Sequence, residues 1–260
     1  MQTSSILLVD IGNTSTQAAL ERSGHFTQAK RIPSRGQTWR QVRDLINAYS
    51  AYKIGGAMIC SVVPELDGFW IREARRIVRG KVLQVGHRLN LGMAVRYPRP
   101  AAIGSDRLAN ASGAVEKYGS PVVVADFGTA LTFDFVTVDR AFVGGIILPG
   151  PAVFAQSLAG RTALLPRFSE TEVSRAFRQR GARLIGKSTE EAMATGIRLG
   201  YIGMVKAVFA EIMRDPLAGK STLCVTGGYA ELIVKEAGLH VRCDPLLTLR
   251  GISRIWKLNA

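Results

Sequence analysis

An α/β fold is what this sequence predicts, on three observations. Short apolar runs rich in β-branched residues alternate with segments of helical spacing along most of the 260 residues, which is how strand–helix units are written. The runs at Leu7–Val9 and Val122–Ala125 are continuously apolar, as in strands covered on both faces. Both also end alike: LLVDIGNTSTQAAL (7–20) and VVVADFGTALTFDFV (122–136) each place an acid, one apolar residue, a glycine and then small polar residues. Two matched Asp-x-Gly turns, at Asp10 and Asp126, are what duplication of a β-β-β-α unit would leave. They divide the chain near 113–121, into halves 1–115 and 116–260.

The elements follow in order. Strands are expected at Ser5–Val9, Thr16–Glu21 and, after the Ser23-Gly24 turn, His25–Ile32. Thr38–Tyr49 has helical spacing, with Trp39, Val42, Leu45 and Ile46 on one side. Gly56–Val62 is a strand stopped by Pro64, Leu66–Val78 a helix with a basic outer face, and Lys81–Val85 a further strand. In the second half come a helix at Asp106–Tyr118, a strand at Pro121–Ala125 and a hairpin of Ala130–Val138 with Ala141–Leu148. Helices follow at Glu170–Arg178 and Ser188–Met213, the latter opened by the capping-type sequence Ser188-Thr189-Glu190-Glu191. Leu223–Thr226 is the last buried strand, and Tyr229–Ala237 a helix after Gly227-Gly228. The uncharged stretch 141–160 contains Gly144, Gly145, Pro149, Gly150 and Pro151, which would break a membrane-spanning helix at its centre, so it reads as a strand and a turn.

Hydrophobic residues make up 47% and charged residues 21% of the chain, an ordinary folded composition. Lys and Arg total 34 against 20 acids, a formal charge of +14, which favours anionic partners without choosing among them. The excess is scattered, as in Arg72, Arg75, Arg76 and Arg79, then Arg175, Arg178, Arg180 and Arg183, so a solvated surface is expected. The cysteines Cys60, Cys224 and Cys243 have no metal or redox spacing and read as small core residues in a reducing compartment. Met1–Ser5 runs directly into a strand without a basic leader, so a cytoplasmic location is expected.

The turns carry the chemistry. Glycine lets backbone approach a ligand, and nearby N–H groups and hydroxyls can receive phosphate oxygens. Asn13 and Thr14 supply such groups after Gly12, as Thr129 and Thr132 do after Gly128. An acid at each strand end can hold Mg²⁺, usually through water, and offset phosphate charge. Two such loops facing one another would clamp a polyphosphate. A single Asp-x-Gly is more often a plain polar turn; two copies with Thr226-Gly227-Gly228 favour the phosphate reading.

This trio resembles the actin-like ATPase (ribonuclease H-like) superfamily, which implies a duplicated fold of two α/β halves around a nucleotide cleft. DIGNT at 10–14, SVVP at 61–64, GSDRLAN at 104–110, DFGTALTFD at 126–134, GGIILPG at 144–150, GKSTEEAM at 186–193, TGG at 226–228 and LTLRGI at 247–252 together resemble type III pantothenate kinases. The resemblance implies transfer of the γ-phosphate of ATP to the terminal hydroxyl of pantothenate, the first step toward coenzyme A.

By that resemblance Asp106 is the general base, and Gly104, Ser105, Asp106, Arg107, Tyr97 and Thr189 contact pantothenate. Asp10, Ile11, Gly12, Asn13, Thr14, Ser15, Thr16 and Gln17 form the first ATP loop, and Thr129 the matching contact from the second. Asp126 binds a monovalent cation, K⁺ or NH₄⁺, beside the Mg²⁺ of ATP, and the protein is a homodimer. From the residues alone, Arg107 can fork onto a carboxylate or phosphate or lie on the surface; Asp106 can be a helix N-cap, Tyr97 can pack on Pro98 and Pro100, and Thr189 can cap its helix. Three departures from the resemblance stand out: no basic residue near Gln17, where many relatives have one, Ser105 where a small apolar residue is common, and Pro151 after Gly150. The competing readings are a transcription accessory protein and an actin-like-fold kinase for another small hydroxyl or carboxylate substrate. Without a helix-turn-helix or basic arm, nucleic acid is not an expected partner, nor is a membrane.

Overall fold

The computed structural model describes residues 5–160, 162–179 and 184–260, so Arg180 and Arg183 lie outside the described residues. In chain order the elements are β1 (Ser5–Ile11), β2 (Ser15–Arg22), β3 (His25–Phe26), β4 (Lys30–Pro33), α1 (Trp39–Asn47), β5 (Ile54–Ser61), α2 (Pro64–Arg75), β6 (Val82–Gln84), β7 (Ala94–Val95) and α3 (Ser105–Tyr118). There follow β8 (Val122–Phe127), β9 (Ala130–Val136), β10 (Ala141–Pro149), α4 (Pro151–Ala159), α5 (Glu170–Arg178), α6 (Thr189–Arg214), β11 (Thr222–Thr226), α7 (Ala230–Ala237), β12 (Arg242–Cys243) and α8 (Leu247–Asn259). The chain divides into two compact units. The first takes the residues up to Gly119 together with 140–143 and 246–260; the second takes 120–139 and 144–245.

In the first unit the sheet order is β3-β2-β1-β5-β6, with β4 also paired to β2. β1 runs antiparallel to β2 and parallel to β5. Alternate residues of β1, Leu7, Val9 and Ile11, pack in a core with Val42, Leu45 and Ile46 of α1 and Trp70 of α2. Thr38 and Gln41 close a capping box at the start of α1, and Pro64 stands in the first turn of α2, where its missing N–H costs nothing. On the sheet's other face, the ring of Trp256 from α8 occupies the space a Cβ at Gly56 would need. α8 also crosses α3 at small residues: a Cβ at Gly113 would lie 2.9 Å from the Gly251 nitrogen, and one at Gly251 would overlap the Ala109 carbonyl.

The second unit repeats the plan, with β12-β11-β8-β9-β10 in order. β8 is antiparallel to β9 and parallel to β11. Val123, Ala125, Phe127, Leu131 and Phe133 pack against Val173 and Phe177 of α5, Ile233 of α7 and residues of α6. By length and composition α6 is apolar enough to cross a membrane, but Met193, Ile197, Tyr201, Val205, Phe209 and Ile212 on it lie in this core.

Several expectations change. The third strand is two short ones, β3 and β4, both paired to β2. The stretch read as a strand and a turn contains α4, with Gly150 at the N-cap and Pro151 opening the helix, so Pro151 is an ordinary helix starter. α8 carries the LTLRGI segment, and it belongs with the first unit rather than with residues 116–260. The break between units follows Gly119, inside the 113–121 interval but after α3 rather than within it. Cys60 and Cys224 are buried as expected, whereas Cys243 on the edge strand β12 is exposed.

Candidate active site

The first phosphate-type turn is built by the β1–β2 hairpin. Gly12 donates its N–H to the Ser15 carbonyl at 3.1 Å, leaving Asn13 and Thr14 exposed at the tip. Antiparallel pairing sets Asp10 opposite Gln17 and Ile11 opposite Thr16, and because strand side chains alternate the range 10–17 splits by face. Asp10 and Gln17 share one face, where the Gln17 amide donates to an Asp10 carboxylate oxygen at 2.9 Å. Ile11 is fully buried, and the Thr16 hydroxyl lies buried 2.8 Å from that of Ser34. The side chains of Ile11 and Thr16 therefore face the packing, away from Asp10.

The GSDR segment opens α3 beside β5. Ser105 donates its hydroxyl proton to the Ser61 carbonyl at 2.6 Å and accepts from the Ser61 N–H at 2.9 Å and the Cys60 thiol at 3.3 Å. Its hydroxyl therefore anchors the helix to the strand instead of facing a ligand, which answers why a polar residue stands at this position. Cys60 is also the parallel partner of Asp10. Burial, then the Asp10 and Asp106 charges, push its thiol well up, against the Ser105 hydrogen bond; it is a neutral spacer.

Asp106 does not cap α3. The N-cap is Gly104, and the Asp106 carboxylate folds back to accept the Arg107 N–H at 2.7 Å. A Cβ at Gly104 would sit 2.5 Å from that carboxylate, so the glycine of GSDR makes room for the acid two residues later. Burial raises the Asp106 carboxyl above the usual range, with the Arg107 N–H and guanidinium opposing. The charge of Asp106 also raises Asp10, after burial and against the Gln17 hydrogen bond. Arg107 is only 9% exposed, not a surface residue. Its guanidinium lies 5.6 Å from the ring centre of Phe142, and Tyr97 meets the same ring edge-on at 6.4 Å. The structure thus brings Tyr97 and Arg107 together through Phe142, which is fully buried and which sequence reading passed over because it looked like any core aromatic.

In the second unit Asp126 pairs with Thr132 on β9 and Thr226 on β11. Gly128 turns tightly, its N–H bonded to the Ala130 carbonyl at 3.1 Å, and Gly150 donates to the Thr129 carbonyl at 3.0 Å. Thr129 itself is exposed. Gly227 has φ +97°, and a Cβ there would lie 2.5 Å from the Asp126 carboxylate; the second glycine segment closes directly on the acid. Thr189 is exposed in the first turn of α6, whose cap is Ser188, accepting the Glu191 N–H at 3.2 Å.

Comparison with known proteins gives the family and the fold. Residues 6–211 match the family described as type III pantothenate kinase. A protein of Bacillus cytotoxicus named type III pantothenate kinase is 32% identical over 262 residues, covering 98% of this chain and 97% of its own length. Among solved structures, the activator of the 2-hydroxyisocaproyl-CoA dehydratase from Clostridium difficile with bound ADPNP superimposes with TM-score 0.58 at 10% identity, over 98% of this chain and 95% of its own. Component A of the Acidaminococcus fermentans (R)-2-hydroxyglutaryl-CoA dehydratase gives 0.57 at 11% identity, over 98% and 97%. At such identities the likeness shows the fold alone, the actin-like ATPase fold.

Proposed function

Because the chain belongs to the type III pantothenate kinase family, and so phosphorylates pantothenate with ATP in coenzyme A biosynthesis, we propose that Asp106 is its general base. The carrying observation is the carboxylate held over Gly104 at the start of α3, next to the buried guanidinium of Arg107. The pantothenate hydroxyl oxygen attacks the γ-phosphorus, its proton passes to Asp106, and the bond to the β-phosphate oxygen breaks to release ADP. A raised carboxyl suits that task, since a base works best with its pKa nearer the working pH. Most of the remaining acceleration comes from alignment and charge compensation.

In this reading Arg107 and Tyr97, joined through Phe142, contact pantothenate with the 104–106 backbone and Thr189. Asp10, Gly12, Asn13, Thr14, Ser15 and Gln17, with the backbone at Ile11 and Thr16, contact ATP, as does Thr129. Asp126 offers a hard carboxylate oxygen, which fits K⁺ or NH₄⁺; that cation and the Mg²⁺ carried by ATP supply positive charge for the phosphates. Each unit is one half of the duplication, the first completed by α8. Exposed Ile147, Val153, Leu158 and Leu199 favour a homodimer, and a role in coenzyme A biosynthesis fits a cytoplasmic setting. The test is ADP release with and without pantothenate, in potassium and in sodium, for the parent and Asp106→Asn. Loss of about 10³-fold in kcat is expected. Full activity in the variant overturns the assignment of the base.

A further inference from the structure

Asp10, Gln17 and Arg31 form one row across three strands. Pairing places Asp10 opposite Gln17 on β2, and Gln17 opposite Arg31 on β4. Their side chains continue the row: Arg31 Nη2 donates to Gln17 Oε1 at 2.8 Å, and Gln17 Nε2 donates to Asp10 Oδ2 at 2.9 Å. The direction is forced. A guanidinium only donates and an ionised carboxylate only accepts, so the amide between them has a single orientation. Without Arg31 the amide keeps only its bond to the carboxylate, and its carbonyl end loses the anchor that holds the side chain in the row.

We propose that Arg31 is a positioning residue for the kinase reaction, acting through Gln17 to fix Asp10 for the nucleotide phosphates. The inference rests on the reading that the 10–17 loop contacts ATP. The cation stands one strand beyond the acid and reaches it through the Gln17 amide. The plain alternative is an exposed cross-strand pair, which stabilises a sheet by only ~0.2–1 kcal/mol and leaves catalysis untouched. Chained hydrogen bonds polarise one another, and the far end of this chain is an acid of the proposed phosphate loop.

The experiment measures KM for ATP and for pantothenate separately in Arg31→Met, Arg31→Lys, Asp10→Asn and the double variant Gln17→Lys/Arg31→Met. Arg31→Met is expected to raise KM for ATP about 10-fold, the scale of one hydrogen bond to a charged group, with KM for pantothenate within about twofold. Arg31→Lys should recover part of the loss. The double variant should recover most of it, because an ammonium at position 17 meets Asp10 directly. An unchanged KM for ATP in Arg31→Met, beside a raised one in Asp10→Asn, overturns the positioning role alone. Equal rises in both KM values with a lowered Tm, unrescued by lysine at 17, also overturn it. If Asp10→Asn leaves KM for ATP unchanged, the phosphate-loop reading fails and takes this inference with it.

Discussion

The β1–β2 and β8–β9 hairpins share a plan: an acid one residue from the strand end, a glycine turn, an antiparallel return and a parallel neighbour on the other side. The backbone around the two acids differs. Asp10 is tethered by side chains, through Gln17 and Arg31. Beside Asp126 the backbone of Gly227 comes close because it has no side chain to keep it away, and the turn is tied down by Gly150. The pairing of the two hairpins is alike, while what packs against each acid is not. The polar packing is adjustable by mutation in small steps; the glycine packing is not.

The glycines test this contrast most severely. Gly227→Ala must accommodate both φ +97° and a Cβ 2.6 Å from Phe127 backbone, and is expected to lose ~3 kcal/mol of stability. At Gly12 the nearest obstacle is the Ser15 carbonyl at 3.2 Å, with no left-handed backbone, so Gly12→Ala should lose under about 1 kcal/mol. Urea denaturation of both variants decides; equal losses would mean that the two turns are held alike.

A smaller effect concerns pH. Burial pushes the Asp10 carboxyl from 3.8 up to about 6, with the Gln17 hydrogen bond opposing, the Asp106 charge adding and the Arg31 charge opposing. The folded chain then binds this proton more tightly than the unfolded chain, so stability of the ligand-free protein falls as pH rises from 3.8 to about 6. Asp10→Asn removes that dependence and should be ~1–2 kcal/mol more stable than the parent above pH 6. Denaturation at pH 4 and pH 7 checks it, and parallel losses in the two proteins would refute it.

The smallest expected change separates the faces of β2. Thr16→Val breaks the buried contact with Ser34 and should lose ~1 kcal/mol while KM for ATP stays within about twofold. A large rise in KM would show that the Thr16 side chain serves the nucleotide.

Much of this plan was readable beforehand. Apolar runs bounded by Asp-x-Gly announce β1 and β8, because a continuous run and a glycine turn are local signals. Helical spacing likewise announces α1, and a capping sequence announces α6. α8 was missed because Leu246 at its N-cap gives no side-chain cap and Gly251 argues against a helix until Ala109 is seen pressed against it. α4 was missed because glycines and prolines together suggest a turn, when one of each forms a helix start. Motifs single out Asp106, Arg107 and Asp10 as candidates, whereas the edge-on contact of Tyr97 with Phe142 has no local sequence signal. Arg31 was invisible because the pairing of β4 with β2 is fixed by hydrogen bonds among strands, and no motif spans residues 10, 17 and 31.

The crossing of α3 by α8 has a consequence for synthesis on the ribosome. The helix that presents Asp106 keeps its Ala109–Gly113 side bare until residues 247–259 have been translated and have left the exit tunnel. The first unit therefore cannot close until synthesis ends, and a chain truncated before residue 246 should remain aggregation-prone until a separate 246–260 peptide is supplied.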